Sequence, residues 1–206
     1  MFQEFARFLT LPSRATYLAA RSAWLQLNVE PLTPADLQAV SELLAAGEVT
    51  AVIEQVHGWK SRAALSPRVH YFAAEAHESL GEAEQAEMER WVFSACLQGI
   101  LATGDGTRRK AYIVSQLSDE YDVLKLLGLR SEKQHLVQRA SRSYDVLTCT
   151  DGSQLWFNVS DLIPVPEETI SPLPLVEVKR NEMKRIDQGV IRTKRRISDP
   201  RRTVPR

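Results

Sequence analysis

Two places in the 206-residue chain set chemically active residue types side by side. Asp119-Glu120 puts two carboxyls next to each other, with Tyr121 following. General acid–base chemistry needs two carboxyls held in environments that drive their pKa values apart. Adjacent acids at a helix start serve the positive end of the helix dipole equally well, so the pair is read first as a helix start. Gly104-Asp105-Gly106 is the second place, with Arg108, Arg109 and Lys110 close behind it. A glycine-rich loop can turn its backbone N–H groups toward a phosphate. Such a loop follows a strand, opens a helix and often carries a Lys-Ser/Thr pair, whereas the order here is helix, loop, strand. Turn chemistry is the first reading of the loop and a binding loop the second. The candidate binding set is therefore Gly104, Asp105, Gly106, Glu120 and Tyr121, and no residue is assigned a catalytic role.

The remaining titratable groups argue for less. His70 and His77 are seven residues apart on one helical face, and His57 and His135 stand alone. With no His pair at i, i+4 and no acid at ligand spacing, no metal site is expected. Cys96 and Cys149 stand in apolar company and read as buried thiols of a reducing compartment. A nucleophilic role would need a neighbouring histidine and an exposed thiol of low pKa, for which nothing in the sequence argues. No cofactor is expected.

Net charge is zero, but residues 179–206 hold 11 Lys/Arg against 3 Asp/Glu, so the body is correspondingly acidic. Lys194, Arg195, Arg196, Arg201 and Arg202 could neutralise phosphates through counterion release, giving salt-sensitive, sequence-independent affinity. A solvated tail is the plainer reading, since no aromatic is interleaved there for base stacking.

The elements that position these residues are legible from caps and periodicity. Phe2, Phe5, Phe8 and Leu9 share one side of a first helix, and Ser13 caps a second that runs to about Leu27. Thr33-Pro34-Ala35-Asp36 combines an N-cap, a proline at the first helical position and a capping-box acid. Ser66-Pro67 repeats the cap 33 residues on, and Gly47 and Gly81, which close the two helices, are 34 apart. Val49 to Val56 and Ala83 to Leu97 supply the returning helices, with Ala73, Ala74, Ala83 and Ala86 letting backbones approach closely. Between the two pairs, His57 to Arg62 reads as a loop whose Trp59 packs back on the scaffold. The period and the small residues resemble the tetratricopeptide repeat, so residues 33–101 look like two degenerate hairpins of that type. Val40 and Val52 stand where that family has small residues.

From Ala102 the texture changes to β. Ala111–Leu117 reads as a strand, Ser118 to Leu127 as a helix stopped by Gly128, and Gln134–Arg139 as a weak strand. Tyr144–Thr150 and Gln154–Val159 flank Asp151-Gly152, a hairpin signal. Alternation of Leu155, Phe157 and Val159 with Gln154, Trp156 and Asn158 predicts one buried face. The unit is β-α-β-β-β, expected as a small antiparallel sheet carrying one helix. The ordered set Gly104-Asp105-Gly106, Glu120-Tyr121, Leu127-Gly128, Tyr144-Asp145-Val146 and Trp156-Phe157-Asn158 resembles a bacterial family known only as a domain of unknown function, over about 90–160. That resemblance implies no catalytic residue.

The expected fold is thus α+β. A helical repeat-like domain (1–102) precedes a small α+β domain (103–162), a Pro-rich linker with a short basic helix (163–186) and a disordered basic tail (187–206). MFQEFARFLTLPSR lacks the pattern of a signal peptide and no apolar run approaches a membrane span, so a cytoplasmic location is expected. The expected function is a non-enzymatic protein-interaction module presenting the hairpin surface to a protein or peptide. The alternatives are nucleic-acid association through the tail and an enzyme with its site near the Gly-Asp-Gly loop.

Overall fold

The computed structural model of the chain describes residues 2–163, so the linker and the basic tail lie outside the described residues. It begins with α1 (Phe2–Thr10) folded onto α2 (Arg14–Leu25). Ser13 caps α2 in a reciprocal box with Thr16, and Phe8 is fully buried between the two helices and α7 while Phe2 stays 80% exposed. Thr33 and Asp36 exchange cap hydrogen bonds of 3.1 and 2.8 Å at the start of α3 (Pro34–Ala45), as the sequence predicts. Then come α4 (Val49–Gly58), α5 (Lys60–Ala63), α6 (Pro67–Ser79) and α7 (Ala83–Thr103). The turns that close α3 and α6 put Gly47 and Gly81 at φ of +77° and +76°, where a side chain would be strained.

Two details differ from the sequence reading. The stretch after Gly58 contains the single helical turn α5 rather than only loop, because Trp59 is drawn into the core at 4% exposure and pulls the backbone round it. Ser66 occupies the N-cap position of α6, but its hydroxyl makes no cap bond and is buried without a partner. α6 and α7 make the most extensive helix–helix contact, with Ala74 and Ala86 buried, while Ala73 and Ala76 pack on the α3–α4 side of α6. Val40, Val52, Val56, Trp59, Val69 and Phe72 fill the layer between α3, α4 and α6. Each such fully buried side chain contributes about 1.5–3 kcal/mol.

The second half is a four-stranded sheet in the order β1-β4-β3-β2, with α8 (Asp119–Leu126) between β1 (Tyr112–Ile113) and β2 (Ser131–Arg139). β3 (Arg142–Cys149) and β4 (Gln154–Asn158) form the hairpin around Asp151-Gly152, with Gly152 at φ +80°. The fold class is therefore α+β, but the sheet is mixed, since β1 runs parallel to β4. β1 is also shorter than the stretch 111–117. Beyond Ile113 the backbone leaves the ladder and is satisfied by side chains instead. Arg21 donates to the Val114 carbonyl at 2.8 Å, and the Ser115 and Gln116 N–H groups donate to Asp119.

Strand register sorts the sheet into two faces. Leu147, Cys149, Leu155 and Phe157 point inward, into one hydrophobic cluster with Phe8, Tyr17 and Trp24 of the N-terminal helices and Ile100 of α7. Val123 and Leu124 of α8 join the same cluster. The first helices, α7, α8 and the sheet thus share a core.

Candidate functional site

α8 carries the most unusual chemistry of the described residues. Asp119 and Glu120 are fully buried, and Asp122 is 6% exposed. Acids in a first helical turn favour the helix dipole, but a surface position would serve that purpose without the cost of desolvation. Each of the three has a defined surrounding. Asp119 Oδ2 accepts from the backbone N–H groups of Ser115 and Gln116 at 3.0 and 2.9 Å. Burial nevertheless pushes its pKa well above the usual carboxylate range, the two N–H donors and Arg21 opposing and Asp122 reinforcing the rise. Asp122 receives the Arg68 guanidinium from α6, Nε to Oδ1 at 2.7 Å with a second nitrogen on the same oxygen. Its burial still outweighs Arg68 and raises its pKa.

Glu120 faces Asp145, which projects from the middle of β3 and is 4% exposed. Burial, then the Asp145 charge, then a hydrogen bond to Asp145 push the Glu120 pKa up to about 9. At neutral pH Glu120 is therefore a neutral carboxylic acid; both its oxygens and Asp145 Oδ1 are buried without a partner, so the proton it keeps is the one available to link the two carboxyls. Asp145 Oδ2 also accepts from the Gln134 amide of β2, and Gln134 Oε1 accepts from the Tyr121 hydroxyl. A polar chain thus runs from buried Glu120 through Asp145 and Gln134 to Tyr121, which is 43% exposed. Burial, followed by Glu120 and Asp145, raises the Tyr121 pKa, so its hydroxyl stays a donor.

Lys125, one turn beyond Tyr121, places its ammonium 5.3 Å from the centre of the Tyr71 ring on α6. Tyr71 in turn lies 6.2 Å from Phe93 of α7, centre to centre. Elements α7, α6, α8 and β2 so present a continuous row of Phe93, Tyr71, Lys125, Tyr121 and Gln134 above the buried carboxyls. A shallow depression of about 290 Å³ at the far turn of the α6–α7 pair, lined by Glu78, Ala86 and Arg90 among others, shares none of these residues.

The structure keeps the two sequence-derived places apart. Glu120 and Tyr121 join the chain just described, whereas Gly104-Asp105-Gly106 forms a turn at the β1–β4 side. Asp105 Oδ1 accepts from the Thr107 N–H and hydroxyl at 3.1 and 2.7 Å, and the Gly106 carbonyl accepts from Trp156 N–H at 2.9 Å. A Cβ on Gly104 would lie 2.2 Å from the Lys110 carbonyl oxygen, and one on Gly106 would meet Tyr112 and Leu155 inside 3 Å. Both glycines are accounted for by packing. No hydrogen bond or ion pair among the described residues links Asp105 to Glu120 or Tyr121. Lys194, Arg195, Arg196, Arg201 and Arg202 lie outside the described residues.

The other titratable groups have local partners. His70 and His77 contact Glu89 and Glu82. Cys96 is fully buried, and burial followed by Asp119 pushes its thiol well up, away from the reactive thiolate. Cys149 is likewise buried and its thiol raised. Among the described residues no group of three or more His, Cys, Asp or Glu is placed to hold a metal ion, and no helix is long and apolar enough to cross a membrane. The sequence reading missed Asp145, Asp122, Arg68 and Gln134. Asp145 had a signal, since strand alternation puts it on the same face as Leu147 and Cys149. Asp122 had a weaker one, three residues after Asp119 on the same helical face.

Residues 34–165 match the family described as Domain of unknown function (DUF4919), and the chain belongs to that family. The match starts at Pro34, so the family unit takes in the helical pairs as well as the sheet, a wider span than the resemblance over 90–160 suggests. No curated protein and no solved structure matches the chain.

Proposed function

We propose that the protein is a non-catalytic binding module whose α7–α6–α8–β2 row receives a segment of a partner protein. The observation that supports this most directly is the pair Tyr71 and Tyr121, 37% and 43% exposed and both held by neighbours at the surface. Restrained aromatic side chains lose little entropy on binding and are enriched among residues that dominate interface energies. Lys125 between them suits a partner segment that offers a carboxylate beside an aliphatic side chain. The tetratricopeptide-like reading of the helical pairs favours the same use, as such hairpins offer helix faces to peptides.

Glu120 and Asp145 are positioning residues in this reading. They lie under the surface, where acid–base catalysis would need contact with the reacting group. The Gly104-Asp105-Gly106 turn is read as structural, and the basic tail as an accessory.

Affinity capture with the full chain, a Tyr71→Ala/Tyr121→Ala variant and a chain shortened after residue 186, at low and high salt, tests the proposal. The expected partner survives high salt and loss of the tail, and is reduced about tenfold or more by the tyrosine variant, the size of a 1.4 kcal/mol loss. Retention of that partner at the wild-type level by the tyrosine variant would refute it.

A further inference from the structure

The face of the sheet turned away from the core has a composition that the helical row does not explain. Register places Lys133 and Arg139 of β2 and Arg142 of β3 on this face, together with Tyr144 of β3 and Trp156 of β4. None of these five belongs to either hydrophobic core cluster. Lys133, Arg139 and Arg142 are exposed, and the two aromatic residues are half-buried. No Asp or Glu occupies a paired position on the face; Glu132 falls in the β-bulge between Ser131 and Lys133 and has no register partner.

The two rings stand 5.9 Å apart at 65°, and the Arg108 guanidinium lies 5.8 Å from the centre of the Trp156 ring. Arg108 is brought there by the Gly104-Asp105-Gly106 turn, whose Gly106 carbonyl is bonded to the Trp156 N–H. Arg109 and Lys110, also exposed, extend the positive margin from the same turn. The turn's tight packing thus has a consequence at the surface: it fixes a cation beside an aromatic side chain.

We propose that this face binds single-stranded nucleic acid, with bases stacking on Tyr144 and Trp156 and phosphates meeting Arg108, Lys133, Arg139 and Arg142. Positive charge by itself would suit any polyanion. Partly exposed aromatic side chains set among the cations on a pleated surface, over the fully buried Val146, favour unpaired bases, since every base has a π-face and duplexes hide theirs. A base that takes the outer side of Trp156 displaces Arg108 from the ring and leaves its guanidinium free for the adjoining phosphate. This surface is the opposite side of the sheet from the Tyr121–Gln134 row, and it does not depend on the partner-protein reading above.

Fluorescence anisotropy of a labelled oligothymidylate with the full chain tests the inference, using a Lys194→Gln/Arg195→Gln/Arg196→Gln chain to separate the tail. Trp156→Ala is expected to weaken binding roughly 5- to 100-fold, the size of one lost stacking contact. Arg139→Gln/Arg142→Gln, at exposed positions where the fold is indifferent, should lower the slope of log affinity against log salt by about 0.7 per lost phosphate contact. Binding should quench Trp156 fluorescence in both the wild type and the tail variant. Three results overturn the inference: no binding at low salt, equal competition by polyglutamate, or a loss confined to the tail variant while Trp156→Ala and Arg139→Gln/Arg142→Gln bind as wild type.

Discussion

Replacing Glu120 by Gln turns the buried carboxyl chain into a measurable quantity. Burial and Asp145 move the Glu120 pKa from 4.5 to about 9. Below pH 4.5 the carboxyl is protonated in both folded and unfolded chains, and its contribution to stability is fully present. As pH rises, the unfolded chain releases the proton first, so that contribution falls by about 1.36 kcal/mol per pH unit until the folded state also ionises near pH 9. At pH 7 the accumulated loss is about 3 kcal/mol. Gln is nearly isosteric and stays neutral, and its amide can donate to Asp145 as the protonated acid does. Glu120→Gln should therefore match the wild type to within about 1 kcal/mol near pH 4.5 and be more stable by up to about 3 kcal/mol at pH 7. In a chain of this size that corresponds to roughly 6–12 °C in Tm. Urea titrations followed by far-UV circular dichroism at pH 5, 6, 7 and 8 give the difference directly. A stability difference that stays constant over this range, or a variant less stable at pH 7 than at pH 5 relative to wild type, would show that Glu120 is ionised in the fold and refute the shared-proton arrangement.

Arg68→Ala should lower stability by about 3 kcal/mol or more, because it strands the buried Asp122 carboxylate; Arg68→Met/Asp122→Leu should recover much of the loss, read from the same urea titrations. Gly104→Ala, whose new Cβ would collide with backbone oxygens, should cost about 3 kcal/mol or more, against about 1–2 kcal/mol for Gly81→Ala, which meets open space at positive φ. Cys96 should resist a thiol reagent in native protein and react only at the unfolding rate, since it is buried and its thiol is raised; fast labelling would contradict the packing around it. Thermal unfolding followed by buried Trp24 in the first helices and by sheet circular dichroism should give coincident transitions, because Trp24 and Phe157 share one cluster.

The helices were readable because their determinants are local. Thr33 and Asp36, or Ser13, act on a backbone group within three residues, and Gly47 and Gly81 act on their own φ, so each leaves a signature in a few consecutive letters. The Asp151-Gly152 hairpin is readable for the same reason. The preceding hairpin is not. It turns through Ala140 at φ +53°, a residue type that gives no turn signal, and so β3 starts at Arg142, paired with Arg139, earlier than its composition suggests. β1 fails in the opposite sense. Tyr, Ile and Val argue for a long strand there, but Arg21 and Asp119, distant or following in sequence, take over the backbone groups that a ladder would have used.

The carboxyl chain and the outer sheet face share a deeper obstacle, because both depend on which residues meet across the fold. Asp119, Glu120 and Asp122 look like ordinary first-turn acids until α6 supplies Arg68 and β3 supplies Asp145. Tyr144 and Trp156 look like alternate members of two β-strands until register sets them diagonally adjacent on one face. In each case the strand alternation carries half of the answer. An inward Asp145 is costly enough that a partner has to exist, and an outward Trp156 that belongs to neither hydrophobic cluster invites the question of what it meets. The same alternation explains why the two surfaces can act separately. Asp145 points to α8 and Trp156 to the opposite side, so a single sheet supports the Tyr121–Gln134 row with one set of side chains and the cationic face with the other. Substitutions at Tyr121 and at Trp156 should accordingly be additive in stability, as expected for sites that share no contact.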